Sequence, residues 1–343
     1  MARINRQWVL ERRPVGDIAD GDLKLIEGPV PQISEGQALV RNIYLSLDPT
    51  NRIWMSDMDQ YLPPVEIGAV MRGGTIGVVE ESMNPDFPVG AIVSPGLSGW
   101  QDYEIAVPGI ARALATIPGL PITAFMSVLG VTGWTAYFGL LDIGQPNPGD
   151  TLVVSAAAGA VGSIVGQIGK IKGCRVIGIA GSDAKCKWVV DELGFDACIN
   201  YKTQDVGAEL DRLAPKGIDI NFENVGGPIM DAVMARMNNF SRMPLCGMIS
   251  TYNAAGEVAG PKHFTQILMK RISVRGFIVI DYFPRMAEAV ADLSAWLMAG
   301  KLHYKVHVDH GLENAPISVK RLFSGDHDGK LLVQISPDPT AAA

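Results

Sequence analysis

The spacing of apolar and polar positions changes along this chain, and the changes divide it. Residues 151–155 form a β-type apolar run that leads into a turn of small residues. Beyond the turn Val161, Ile164, Val165, Ile168 and Ile171 recur at helical spacing. Gly173 closes that helix and 175–180 predicts a second buried strand, so 151–180 reads as one βαβ unit. Further strands are expected at 218–223, 243–249 and 273–279, separated by helical patterns that include 183–193, 228–238 and 285–299. Strands alternating with helices specify a parallel sheet covered on both faces. Upstream, short apolar runs such as 38–47 and 75–79 are punctuated by Pro- and Gly-marked turns, the texture of an irregular β-barrel. A β-like texture returns after Gly300, at 305–308 and 330–335. The expected fold class is α/β, with a β-rich domain over 1–125 and 301–343 and a doubly wound Rossmann domain over 126–300.

The turn after residue 155 carries candidate chemistry. Ala157, Gly159 and Gly162 make A-x-G-x-x-G, one glycine short of the dinucleotide fingerprint. Gly159 lets the backbone approach a pyrophosphate, and Gly162 lets the helix pack close to the strand. The helix N-terminus adds N–H groups and a positive dipole end. Small residues mark other tight turns too; the βαβ context favours the dinucleotide site. An NAD site usually places Asp or Glu at the tip of the second strand to hold the ribose hydroxyls. Here Ala180-Gly181-Ser182 stands instead, followed by Lys185, which suits a 2′-phosphate. Asp183 complicates this but fits a first helical turn, and Lys185 also reads as a solvated helix lysine. NADP is favoured over NAD.

Composition narrows the partners. With 48% hydrophobic and 19% charged residues the 343-residue chain reads as globular, and its net charge of −7 argues against nucleic acid or an anionic membrane. No apolar leader opens it and no run of about 18 apolar residues occurs, so a cytoplasmic location is expected. Cys174, Cys186, Cys198 and Cys246 lack the paired spacing of a zinc knot and read as small residues in a reducing compartment. The first histidine is His263, and His303, His307 and His310 do not converge if 305–308 is a strand. No metal site is expected.

Several segments follow one another in a familiar order: Leu47-Asp48-Pro49 with Arg52, Gly133 to Leu140, Ala156 to Gly162, Gly181-Ser182-Asp183 with Lys185, Asn200-Tyr201-Lys202, Glu223 to Gly227, and Cys246 to Asn253. On these the chain resembles the zinc-independent medium-chain dehydrogenase/reductase superfamily, over nearly its whole length. Within it the likeness is to the double-bond reductases, which include prostaglandin and leukotriene reductases, curcumin reductase and alkenal reductases. The resemblance implies a GroES-like β-barrel beside the Rossmann sheet, NADP(H) as cofactor, and a homodimer paired through the sheet edge, with 273–279 as candidate strand. It also implies that Gly159, Ala160, Val161 and Gly162 hold the pyrophosphate. Ser182, Lys185 and Tyr201 would hold the adenosine phosphate end, and Asn224 would sit by the ribose. Cys246, Gly247, Ile249, Ser250, Thr251 and Tyr252 would line the cofactor's path, with Thr135 in the same set. Phe277, Ile278 and Val279 would flank the nicotinamide. Two departures stand out: Val131 replaces a frequent Met, and His327 replaces the Asn of Gly-x-Asn-x-Gly-Lys. His327 either keeps a cofactor hydrogen bond or adds a titrating group.

With no zinc ligands in the first domain, hydride addition to a conjugated double bond is easier to assist than alcohol oxidation, since hydrogen-bond donors alone stabilise an enolate. The expected activity is NADPH-dependent reduction of the C=C bond of α,β-unsaturated ketones or aldehydes, small hydrophobic conjugated carbonyls. Tyr252 and the cofactor's ribose hydroxyl would support the enolate. Tyr252 packing on the cofactor without catalysis is the other reading, and Tyr61 is either a second catalytic group or a plain loop aromatic. The rival activities are quinone reduction and zinc-free secondary alcohol dehydrogenation; the rival class is a non-catalytic NADPH-binding protein.

Overall fold

The computed structural model, which describes residues 3–341, begins with two antiparallel strands, β1 (Ile4–Leu10) and β2 (Leu23–Pro29). There follow β3 (Ala38–Ser46), a short helix α1 (Thr50–Trp54), β4 (Thr75–Ser82), β5 (Ile92–Ser94), β6 (Tyr103–Ala106) and β7 (Arg112–Ala113). Strand β3 is buried along almost its whole length and pairs antiparallel with β4 and β6. Two register shifts interrupt its pairing with β4, between Leu39 and Val40 and between Asn42 and Tyr44, which is the local origin of the irregularity. Leu10, Leu45, Trp54, Met55 and Trp100 pack into one core there.

Longer elements then alternate. Helix α2 (Val131–Phe138) runs into a π-helical turn, Gly139–Gly144, and precedes β8 (Thr151–Ser155), α3 (Gly162–Ile171), β9 (Arg175–Ala180), α4 (Asp183–Asp191) and β10 (Ala197–Asn200). The second half is α5 (Val206–Leu213), β11 (Ile218–Phe222), α6 (Gly227–Met234), β12 (Met237–Leu245), α7 (Thr265–Lys270), β13 (Ser273–Gly276) and α8 (Met286–Met298). Among the described residues these strands form one six-stranded sheet in the order β10-β9-β8-β11-β12-β13, every pair parallel. Val153 packs with Leu210, Met230 and Val233 on one face, whereas Leu152 turns to α3, where a methyl on Gly169 would lie 2.5 Å from its Cδ2. Burial on both faces is why β8 reads as a continuous apolar run. The first strand, β8, has β9 on one side and β11 on the other, so the order of the sheet reverses there. Ligands gather at the carboxyl ends of strands at such a switch point.

The chain ends with β14 (Val306–His310), α9 (Ala315–Ser324) and β15 (Lys330–Gln334). Strand β15 pairs antiparallel with β3, giving the order β14-β15-β3-β4-β5-β7 with β6 also on β3. Two compact units result: residues up to Met126 with Val306–His327 and those from Leu331 on, and Ser127–Lys305 with Asp328–Lys330. The fold is α/β, a doubly wound parallel sheet with a separate antiparallel β unit.

Three expected elements differ. The strand expected at 243–249 runs from Met237 to Leu245, and α6 stops at Met234, so polar Asn238 and Asn239 belong to the sheet rather than to a helix. Phe240 there takes a left-handed φ of 62°, the irregularity that hid the strand from periodicity. The strand expected at 273–279 ends at Gly276, because its partner β12 ends opposite, at Leu245. Strand β10 was not expected at all.

Helix α3 packs against Phe195 through Gly166, where a methyl would lie 1.8 Å from the ring's Cζ. Gly166→Ala is expected to lose about 1–3 kcal/mol by overpacking, outweighing a gain of about 1 in helix propensity. Urea unfolding of the variant, and of Gly166→Ala with Phe195→Leu, checks it: the second change restores most of the loss.

Candidate functional site

At the end of β8 the backbone of Ala156 turns left-handed, with φ of 50°. Its carbonyl accepts the N–H of Gly159 at 2.9 Å and faces the first residue of α3, where a methyl on Gly162 would lie 2.4 Å away. Gly162 is therefore obligatory, and the turn leads straight into α3, whose Ser163 and Ile164 N–H groups donate to the Gly159 and Val161 carbonyls at 3.0 and 3.1 Å. Gly159 forms a parallel bridge with Gly329, bringing the 328–330 segment to the same turn. Gly329 takes a φ of 60°, and a methyl there would lie 2.1 Å from the carbonyl of Lys305. Gly329 stood in the Gly-x-x-x-Gly-Lys segment at 325–330 but was given no role there.

Beyond β11, Glu223 is 0% exposed. Its Oε1 accepts from Ser155 Oγ at 2.9 Å and from the backbone N–H groups of Val225 at 2.7 Å and Gly226 at 2.9 Å. Oε2 accepts from Asn221 Nδ2 at 3.0 Å. The Glu223 carbonyl accepts the N–H of Cys246 at 2.9 Å and of Gly247 at 3.2 Å. Asn224 is pinned to β8, donating from Nδ2 to the Ser155 carbonyl and from its backbone N–H to Ser155 Oγ, both at 2.8 Å. Glu223 was quoted in the sequence motif but given no role; a charged residue closing an apolar strand was the available signal.

The 246–252 segment lies over these residues. The N–H of Ile249 donates to the Asn224 carbonyl at 3.2 Å, and Ser250 bonds the Val225 carbonyl through its N–H at 3.0 Å and Oγ at 2.6 Å. Thr251 Oγ1 donates to the Met248 carbonyl at 2.8 Å. The Tyr252 hydroxyl oxygen accepts the N–H of Met248 at 3.0 Å and stands beside Gly247, where a methyl would lie 3.0 Å from it. Burial pushes the Cys246 thiol up to about 12, the Glu223 carboxylate adding to the effect.

A second cluster forms at the tip of β9. Ser182 caps α4, its Oγ accepting the Lys185 N–H at 3.2 Å, and its own O–H remains a donor. The Tyr201 ring, 43% exposed, lies against Gly181, where a methyl would be 3.1 Å from Cε1 and 3.4 Å from Lys202 Cε. Lys202 thus lies with Tyr201 at Gly181, a cation the sequence motifs gave no role. Asp183 is engaged by Asn200, whose Nδ2 donates to its Oδ1 at 2.7 Å.

Other candidates are placed differently. The Thr135 hydroxyl bonds the Val131 carbonyl of its own helix at 2.8 Å. Phe277 turns its ring toward Phe222 and Tyr282, and a methyl on Gly139 would lie 2.5 Å from it; Ile278 is extended and Val279 opens the 3₁₀ turn Val279–Arg285. Tyr61 and His327 belong to the other compact unit. There the Tyr61 hydroxyl bonds Thr50 Oγ1, and burial raises its pKa above the usual phenol value. The Arg72 guanidinium lies 5.3 Å from the Trp54 ring. His327 Nδ1 is 3.1 Å from the Arg321 carbonyl, a pairing that requires the proton on Nδ1.

Residues 6–113 match the family described as the N-terminal domain of oxidoreductase, and 160–296 the family described as zinc-binding dehydrogenase. The chain is 45% identical over 339 residues to the NADPH-dependent curcumin reductase of Escherichia coli, covering 97% of this chain and 98% of that protein. The chain belongs to the medium-chain dehydrogenase/reductase superfamily, in its double-bond reductase group. The family's NADP-dependent 2-alkenal reductase from Nicotiana tabacum is 38% identical, over 97% of this chain and 98% of its own. Among solved structures, CurA from Vibrio vulnificus in complex with NADPH aligns with a TM-score of 0.92 at 48% identity, over 97% of this chain and 100% of that one. Despite the name of the second matching family, no group of three or more His, Cys, Asp and Glu among the described residues is arranged to hold a metal ion.

The donor-rich setting of Glu223 gives a direct test. Glu223→Leu leaves the N–H groups of Val225 and Gly226 without their acceptor, and is expected to lower stability by about 2–4 kcal/mol. Glu223→Gln retains one oxygen and loses less. Thermal unfolding of both variants ranks them.

Proposed function

We propose that this protein reduces the C=C bond of α,β-unsaturated ketones or aldehydes with NADPH. The observation that carries the reading is the Tyr252 hydroxyl oxygen, which accepts the Met248 N–H at 3.0 Å and so fixes the phenol on the loop that follows β12. NADPH, when bound, supplies the hydride for the β-carbon. The protein's part is to hold the carbonyl oxygen, where negative charge develops as the double bond is reduced. A phenol that already accepts a hydrogen bond is a stronger donor through its own proton. Tyr252 is thus a preorganised donor to the enolate oxygen.

The residues present fit the cofactor. The Ala156–Gly162 turn suits a pyrophosphate at the start of α3, since glycines at 159 and 162 let its backbone close tightly on Ala156 at the helix N-terminus. Tyr201 and Lys202 lie against Gly181, and Ser182 and Lys185 stand in the first turn of α4 beside it, a set of donors and positive charge suited to a 2′-phosphate, while Asn200 engages the Asp183 carboxylate. The NADPH dependence of the E. coli curcumin reductase and the NADPH complex of the Vibrio CurA support the same choice.

A homodimer completes the reading. All four residues of the edge strand β13 are exposed, and Phe264, Leu268 and Met269 nearby on the chain expose 63%, 74% and 62% of their surfaces. An unpaired edge beside apolar side chains suits a second copy of the chain. No helix among the described residues is long and apolar enough to cross a membrane, and the four cysteines are free, which supports a reducing, cytoplasmic setting.

Three outcomes are expected. Mixing the protein with NADPH and a simple enone consumes NADPH at 340 nm; turnover of saturated alcohols with none of enones would sink the assignment. Tyr252→Phe lowers kcat by about 10- to 100-fold and leaves the NADPH dissociation constant nearly unchanged, because it removes a transition-state donor. Lys185→Glu weakens NADPH binding by more than about tenfold relative to NADH, since a charge-assisted bond becomes a repulsion. Binding titrations with both cofactors read it.

A further inference from the structure

Cys186 stands in α4 and Cys198 in β10, and their side chains share a hydrogen bond. The register pairs Cys198 with Gly178 of β9, and a methyl on Gly178 would lie 3.2 Å from Cys198 Sγ, so the sulfur occupies the space that the glycine leaves. Helix α4 packs on β9 and β10, and the Cys186 N–H bonds the Ser182 carbonyl at 3.0 Å. Both cysteines are half-buried, open to a small reagent. The shared bond holds the Cys186 thiol below the usual thiol range and Cys198 above it, as expected if Cys198 S–H donates and Cys186 sulfur accepts. Burial pushes the other two thiols up, Cys174 to about 11 and Cys246 to about 12. Nucleophilic character is therefore concentrated on Cys186.

We propose that Cys186 and Cys198 form an oxidation site: a hydroperoxide converts the pair to a disulfide, and the crosslink weakens NADPH binding at the neighbouring corner. The Cys186 thiolate attacks a peroxide oxygen, the O–O bond breaks, and the departing hydroxide takes a proton to become water. The Cys198 sulfur then displaces hydroxide from the Cys186 sulfenic acid; the S–S bond forms, the S–O bond breaks, and the Cys198 proton leaves in the second water. Two thiols lose two electrons and two protons, and hydrogen peroxide is reduced to two waters.

The consequence for the cofactor rests on the NADPH reading above. A disulfide draws its sulfurs to about 2.05 Å, closer than any hydrogen-bonded pair. That pulls the first turn of α4, which carries Lys185 and is capped by Ser182, toward β10, which leads into Tyr201 and Lys202. The donors around Gly181 then no longer match a phosphate in the reduced geometry.

The test treats the whole protein with stoichiometric hydrogen peroxide, in the absence of any enone. Remaining thiols are alkylated after denaturation and counted by mass, and NADPH affinity is measured by fluorescence titration. Of the four cysteines two remain alkylatable, peptide mapping joins Cys186 to Cys198, and NADPH binds about tenfold more weakly, the equivalent of one charge-assisted hydrogen bond. Dithiothreitol restores the affinity. Cys186→Ser and Cys198→Ser bind NADPH like the reduced protein, and their affinity does not fall with peroxide. Four alkylatable thiols after treatment, a crosslink elsewhere, or a crosslink with unchanged affinity each overturn the proposal. The untreated protein's NADPH affinity, from the same titration, reports on the cofactor reading separately, and the crosslink is scored by mass whether or not NADPH binds.

Discussion

A carboxylate withdrawn from water is tolerated only where donors replace the solvent it has lost, and Glu223 meets that condition with four of them. The donors come from separate places: the end of β8, the body of β11 and the loop after it. The residue's own carbonyl holds Cys246 and Gly247, so the segment bearing Tyr252 is anchored through the same position. The turn at the end of β8, the Asn224 loop and the Tyr252 loop are thereby referred to one buried charge. A shift in any of them leaves a donor or an acceptor unsatisfied, and that penalty is what makes the arrangement rigid before any ligand arrives.

The tip of β9 uses the opposite device. Its polar groups are partly exposed and its order comes from local bonds: Ser182 caps α4, and Asn200 engages Asp183. Asp183 lies at the first residue of α4, where a carboxylate stabilises the helix through the dipole. The bond from Asn200 would reduce its cost to a phosphate at the site proposed above. A helix can therefore keep an acidic first turn and still suit a cofactor that carries an extra phosphate.

The parts legible in the sequence were those where one physical requirement dominates. Strands β8 and β9 are buried on both faces and give unbroken apolar runs, and Gly162 has no room for a side chain. Elements defined by pairing alone were not legible. Strand β10 is four residues, Ala-Cys-Ile-Asn, and the first half of β12 carries asparagines. The site shows the same division. Gly159, Gly162, Asn224 and the 246–252 segment lie at or follow the carboxyl ends of β8, β11 and β12 at or beside the switch point, where local motif and topology agree. Gly329 reaches the Ala156–Gly162 turn by a bridge across the length of the chain, and Phe277 is drawn into an aromatic cluster once β13 has ended; the pairing of the first and the packing of the second are set by partners far away in the chain.

The buried charge also bears on a hazard specific to the proposed chemistry. Conjugated carbonyls alkylate thiolates, and Cys246 stands in the same segment as Tyr252. A thiolate there would compete with hydride for the β-carbon. Burial and the field of Glu223 together push that thiol up to about 12, so almost none is ionised near neutral pH. The neutral Tyr252 hydroxyl can still donate, because a hydrogen bond needs no ionised group on the protein. One carboxylate thus anchors the loop that bears Tyr252 and adds to the burial that keeps the neighbouring thiol protonated.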